Sequence, residues 1–155
     1  MIKPINPDTL ADILPLIRAY QTSKNGTQVV VNDDDAQIHA FFAKFGEDSP
    51  TGCQFAYYVD GTVDDGDSQA VAFATVVFSV DSVNLCKVAV LDALYVAKSH
   101  QCKGIARKLI EHCHAYSKTQ GAVRLQWLAK QDDHTFETVY DRLDTQKSEW
   151  VSYRY

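Results

Sequence analysis

The sequence predicts a mixed α/β (α+β) fold, a sheet with helices on both of its faces. Three observations predict it. Strand-like and helix-like segments follow one another in the order β-α-α-β-β-β-α-β-α-β. The three strands between residues 53 and 96 have no helix between them, which speaks against a parallel sheet built of βαβ repeats. A length of 155 residues, 46% hydrophobic and 23% charged, suits a single domain spanning 1–155 with a core of its own.

Each element has a local reason. Residues 1–5 read as a short first strand. Asn6, Pro7 and Asp8 set a helix start, with Asn6 or Asp8 as cap. Leu10, Ile13, Leu14, Ile17 and Tyr20 recur at helical spacing. Pro15 among them is expected to kink the helix, because its ring clashes with the preceding turn. After a polar loop, Asp33, Asp34 and Asp35 open a second helix reaching about Phe45, with Ile38, Phe41, Phe42 and Phe45 on its buried face. The Asp triplet reads as a solvated helix N-terminus, or else as part of a substrate site.

Strands at 53–59 and 70–80 are joined by the hairpin loop DGTVDDGDSQ, and a long strand covers 83–96. A helix spans 104–120 with Gly121 as its C-cap. A strand at 123–128, a helix at about 133–143 and a last strand at 150–155 complete the series.

The bulk properties exclude several functions. A net charge of −5 argues against a nucleic-acid binder, whose phosphate contacts need clustered Lys and Arg, and is compatible with small cationic substrates. Four cysteines without a CxxC pair read as reduced thiols. His112, Cys113 and His114 are neighbours on a helix and diverge, so no metal is expected. The N-terminus has no apolar leader, and the longest apolar run, 70–78, falls short of the ~20 residues of a membrane helix. A cytoplasmic protein with no membrane partner is expected.

The chemistry gathers at residues 91–106, LDALYVAKSHQCKGIA, a β-branched run, a short polar loop and a helix start. Such a junction grips phosphates with backbone N–H groups and the positive end of a helix dipole. Within it QCKGIA fits the pattern Gln/Arg-x-x-Gly-x-Gly/Ala. Gly104 lets a pyrophosphate approach the backbone, and Ala106 is small enough to keep that approach open. Lys103 and Arg107 add charge at the rim, or are simply solvated cations.

The stretch LDALYVAKSHQCKGIARKLIEHC resembles the acetyl-coenzyme A binding motif of the GNAT superfamily of N-acetyltransferases. Downstream, DHTFETVYDRL resembles that family's helix of the form Asn-x-x-Ala-x-x-x-Tyr, one helix and one strand later. With the preceding strands, the resemblance runs in order over nearly the whole chain. It implies a mixed, mostly antiparallel sheet of six to seven strands with about four helices. The strand ending at Tyr95 and Val96 would splay from the strand at 123–128. The pantetheine arm of acetyl-coenzyme A would lie in that gap and pair with backbone groups of Leu94, Tyr95 and Val96. The loop beginning at Gln101 would hold the pyrophosphate through backbone amides of Cys102, Lys103, Gly104, Ile105, Ala106 and Arg107. An N–H near Leu94 would stabilise the oxyanion. Asp133 and Phe136, at the Asn and Ala positions of the second motif, would sit beside the cofactor.

Tyr140 stands where the family has its tyrosine near the cofactor sulfur. A phenol of pKa ~10 can protonate a departing thiolate whose acid has pKa ~8.5. Its other reading is a half-buried aromatic that packs its helix on the sheet. Asp92 is the candidate on the acceptor side, matching an acidic residue of the diamine-acetylating branch. By simple alternation Asp92, Leu94 and Val96 share one face, and Ala93 and Tyr95 the other. An isolated carboxylate of pKa ~3.9 is a poor base towards an ammonium of pKa ~10, so anchoring is its better-suited task. A surface strand Asp is the plain alternative. Gln126 and Trp127 would line the acceptor pocket, with core packing equally open for Trp127.

The chain departs from the family pattern in places. Gln101 stands where Arg is frequent, Ala106 replaces a Gly, and Asp133 replaces an Asn. Leu143 is followed by Asp144-Thr145 in place of a Leu-Gly-Phe turn. The ending EWVSYRY is similar to the diamine and histone-type branch, where the last strand often pairs across a homodimer. The activity this implies is direct acetyl transfer from acetyl-coenzyme A to a primary amine, first of all a small polyamine or diamine. A protein or amino-acid N-acetyltransferase and a non-catalytic acyl-coenzyme A sensor are the alternatives.

Overall fold

The computed structural model describes residues 1–23, 34–60, 68–129 and 137–149. Among these, five strands form one sheet in sequence order: β1 Ile2–Pro4, β2 Gly52–Val59, β3 Gln69–Asp81, β4 Cys86–Val96 and β5 Ala122–Gln126. Neighbours run antiparallel except β4 and β5, which run parallel. The mixed, mostly antiparallel class is as expected, with five strands among the described residues in place of six or seven. The expected strand at 150–155 lies outside the described residues.

Two local features move the expected boundaries. The strand expected from residue 83 begins at Cys86, because Asp81 folds the chain into a tight turn. Its Oδ1 accepts the N–H groups of Val83 and Asn84 at 3.2 and 3.0 Å, and Leu85 turns at φ 52°. Hydrogen bonds from Asn84, and then from Arg124, hold the Asp81 carboxyl well below the usual carboxylate range. Pro15 produces no kink within a long helix. A 3-10 turn, Leu10–Ile13, precedes α1, Leu14–Ser23, and Pro15 falls in the first turn of α1, where a missing N–H costs little.

Asn6 starts this segment by accepting from the N–H groups of Asp8 and Thr9, both at 3.0 Å. The next helix, α2, spans Asp35–Phe42, and Asp34 caps it by accepting from Ala36 and Gln37 N–H at 2.9 and 3.4 Å. Asp35 pairs with Arg18 of α1. These two carboxylates are therefore used structurally, and Asp33 lies outside the described residues. Ile38 and Phe45 are buried as expected, but Phe41 is 55% exposed.

The sheet separates two apolar clusters. On one face α3, Ile105–Thr119, buries Ile105, Leu109, Ile110 and Cys113 against Phe55, Val76, Ala89 and Leu91. On the other, Leu10, Ile13, Ile17 and Ile38 cover Ala56, Tyr58 and Phe73. Each large side chain so buried is worth roughly 1.5–3 kcal/mol of transfer free energy. Gly121, at φ 82°, closes α3 by donating to the Lys118 carbonyl at 3.0 Å. A short helix α4, Glu137–Arg142, packs Val139 and Tyr140 on the α3 side.

Candidate active site

β4 and β5 pair from Lys87 opposite Ala122 to Val90 opposite Gln126, and no farther. Beyond that fork β4 continues to Val96 with β3 alone on its other side. A β-bulge sits at the fork. Val76 of β3 faces Leu91 and Thr75 faces Ala93, so Asp92 is the extra residue. The bulge resets the alternation: Leu91, Leu94 and Val96 pack towards α3, while Ala93 and Tyr95 pack towards α1. The expectation for Leu94 and Val96 against Ala93 and Tyr95 is met. Asp92 stands outside that count, exposed, with no hydrogen bond or ion pair among the described residues.

The open edge of β4 follows from its ladder. Ala97 donates to the Val71 carbonyl at 2.9 Å, and Tyr95 lies opposite Phe73. In an antiparallel ladder alternate residues turn their backbone groups to the partner, so Tyr95 is engaged with β3 while Leu94 and Val96 face the gap. Of the three residues expected to offer backbone groups there, these two do so. The Tyr95 ring lies on the α1 side, 6.1 Å from Tyr20 and 6.2 Å from Phe73. The Val96 carbonyl has a partner that sequence reasoning missed, the side-chain amide of Gln101, which donates to it at 3.0 Å.

From Val96 the chain passes through a 3-10 turn, Lys98–His100, to the start of α3. Cys102 and Gly104 both adopt left-handed backbone, at φ 61° and 76°. Such alternation around Lys103 turns successive N–H groups towards one concavity. The first bond within α3 runs from Lys108 N–H to the Gly104 carbonyl at 3.1 Å. The N–H groups of Ile105, Ala106 and Arg107 therefore have no partner within the helix, and Gly104 has no side chain to cap them. Together with the helix dipole they form an anion-attracting end. The side chains of Ile105 and Ala106 point into the core, 5% and 8% exposed, so a small residue at 106 serves helix–sheet packing. Lys103 is exposed, and Arg107 pairs with Glu111 at 2.8 Å.

Tyr140 is half-buried, its ring centroid 5.3 Å from that of Trp127 on the α3 side. Gln126 lies one residue before Trp127, and its Oε1 accepts from Arg124 Nε at 2.9 Å while Arg124 reaches Asp81 at 3.0 Å. The two expected acceptor residues thus have different settings, Trp127 against Tyr140 and Gln126 in a surface polar chain. Asp133 and Phe136 lie outside the described residues.

The cysteines are free. Burial pushes the Cys53 thiol up to about 11 and the Cys113 thiol up to about 12, so both stay protonated and unreactive near neutrality. His112 packs on Phe55, Cys113 is buried and His114 is exposed, the divergence a helix imposes.

Among the described residues no helix is long and apolar enough to cross a membrane. The profile of the acetyltransferase (GNAT) family matches residues 16–140. No curated protein sequence matches significantly. Solved structures share the fold. A ribosomal-protein-alanine N-acetyltransferase from Brucella melitensis aligns with a TM-score of 0.74 at 17% identity, over 100% of this chain and 98% of its own. The aminoglycoside 6'-N-acetyltransferase AAC(6')-Ih from Acinetobacter baumannii gives 0.73 at 20% identity, over 100% and 96%. The aminoglycoside N-acetyltransferase AAC(6')-Iy, in complex with CoA, gives 0.70 at 17% identity, over 100% and 98%. Matched over 125 of its 155 residues (140 − 16 + 1), the chain belongs to the acetyltransferase (GNAT) family.

Proposed function

We propose that this protein transfers the acetyl group of acetyl-coenzyme A directly to a primary amine, with a small diamine or polyamine as acceptor. The observation that carries the reading is the fork: β4 loses its β5 partner after Val90, and nine residues beyond Val96 the chain enters α3 at Ile105, with no side-chain cap. The edge groups of Leu94 and Val96 suit the amides of a pantetheine arm. The N–H groups of Ile105, Ala106 and Arg107, without a partner among the described residues, together with the backbone of Cys102 to Gly104 and the charge of Lys103, suit a pyrophosphate.

Acetyl-coenzyme A, the donor substrate, supplies a thioester carbonyl open to attack by an amine. In the proposed roles the Leu94 N–H donates to that carbonyl oxygen and stabilises the negative charge that develops there. Asp92 anchors the acceptor ammonium, which gives one proton to water before its lone pair forms the N–C bond, and the acetylated nitrogen gives a second proton to water as the carbonyl re-forms. As the C–S bond breaks, Tyr140 donates its hydroxyl proton to the departing thiolate and regains one from solvent. Trp127 orients Tyr140, and Gln126 borders the acceptor side. Asp133 and Phe136 remain expected cofactor neighbours. No enzyme nucleophile takes part, in keeping with the protonated state of Cys53 and Cys113.

Support for a cationic acceptor is Asp92 at the fork, exposed and without a partner among the described residues, and the net charge of −5. A cytoplasmic homodimer is the proposed setting. The test is a thiol-release assay with acetyl-coenzyme A against diamines, polyamines, aminoglycosides, amino acids and peptide N-termini. Turnover confined to peptides or amino acids would replace the acceptor while keeping the reaction. Tight donor binding without turnover of any amine would replace the enzyme by a sensor.

A further inference from the structure

The Gln101 side chain reaches back across five residues to the end of β4, its Nε2 donating to the Val96 carbonyl at 3.0 Å. That carbonyl is not a neutral choice of partner. Ala97 turns its backbone to β3, so Val96 turns its own to the edge that β5 has left. Gln101 therefore stands in for the missing strand at the last rung of the gap. Between the two ends of this bond lies the 3-10 turn, closed by His100 N–H on the Ala97 carbonyl at 2.8 Å. Immediately after it come Cys102 and Gly104 in left-handed backbone, and then the N–H groups of the first turn of α3, which have no partner within the helix.

We infer that Gln101 is a positioning residue that sets the phosphate-gripping backbone at a fixed height above the open edge of β4, without touching the phosphates itself. The inference rests on the proposed donor site. Two consequences distinguish it from a charge contact at this position. First, the edge groups left to a ligand are those of Leu94 and the Val96 N–H, because the Val96 carbonyl is occupied. Second, the benefit falls on ligands that span both regions. A tethered loop has already lost the freedom that a loose one would lose on binding, and a ligand without a pyrophosphate gains nothing from it.

The experiment is calorimetric binding of coenzyme A and of pantetheine to the whole protein, with kinetics where activity is present. Gln101→Leu removes the donor and is expected to weaken coenzyme A roughly ten-fold, the order a single hydrogen bond supports, and pantetheine by less than about two-fold. The KM for acetyl-coenzyme A should rise with kcat unchanged. Gln101→Arg keeps an N–H donor and should restore binding. Gln101→Asn, one methylene shorter, should resemble the leucine variant and serves if that one folds poorly. Equal weakening of both ligands, or none, overturns the inference while wild-type binding of coenzyme A upholds the donor site. A wild-type protein that binds no coenzyme A overturns both.

Discussion

Trp127 and Tyr140 lie with ring centroids 5.3 Å apart and planes inclined at 42°, the first just past β5 and the second on α4. The contact links the strand that leaves the fork to the helix that carries the proposed acid. Val139 and Leu143 pack beside them on the α3 side, so α4 is held by its apolar face. A tilted aromatic pair adds about 0.5–1.5 kcal/mol beyond the area it buries. The packing and catalytic readings of Tyr140 are therefore compatible, since packing the ring is what would aim the hydroxyl.

Tyr140→Phe separates the two. It keeps the ring and the contact with Trp127 and removes the O–H. The expected result is a fall in kcat on the order of 10²-fold, with coenzyme A affinity and unfolding temperature close to wild type. A phenylalanine variant as active as wild type would leave Tyr140 with packing alone.

Asp92→Asn tests the acceptor side. The carboxylate sits on a bulge, exposed, and its loss should leave the sheet intact. The KM for a diamine is expected to rise roughly ten-fold, and the effect should shrink with added salt, as it does for an exposed charge pair. The KM for acetyl-coenzyme A should not move. An unchanged diamine KM at low salt would assign Asp92 to the surface.

The contrast between these residues shows what was legible in the sequence. Element order and type came through because apolar periodicity is local: Leu109, Ile110 and Cys113 announce a helix face wherever they pack. The junction of strand, loop and helix at Gly104 came through because its residues are contiguous. The bulge at Asp92 did not, because it depends on which residue of β3 faces which residue of β4. A polar residue breaking an apolar run was its one signal. The bond from Gln101 to Val96 was equally hidden, since a glutamine amide finds its partner only after the loop has folded. Pro15 departs from the expected kink for a local reason: the 3-10 turn ends and α1 begins where a proline fits.

Two glycines make a paired stability test. Gly52 sits at φ 151°, and a Cβ there would lie 2.0 Å from the Val76 carbonyl oxygen, so Gly52→Ala must push two strands apart. Gly104, at φ 76°, has nothing within 4 Å of the same position, so Gly104→Ala meets only the left-handed backbone penalty. The alanine at 104 is expected to cost about 1 kcal/mol and roughly 2–4 °C in Tm. The alanine at 52 should cost at least about twice as much. Thermal unfolding of both variants checks the order, and equal losses would contradict the close approach at Gly52.

His112 should make stability depend on pH. Burial lowers its pKa below the ordinary imidazole value, with Glu47 opposing that shift, and its ring packs edge-on against Phe55 at 4.7 Å. The folded protein therefore resists protonating this group, while the unfolded chain takes up the proton at the ordinary value of ~6.5. The stability contributed by neutral His112 is complete above that value and declines as pH falls below it, towards the lower folded value. In His112→Gln, which stays neutral, that share of the decline is absent. Between about pH 7.5 and about pH 5.5, roughly one unit either side of the imidazole value, the wild type should lose more Tm than the glutamine variant. Parallel losses would mean that His112 titrates alike in both states.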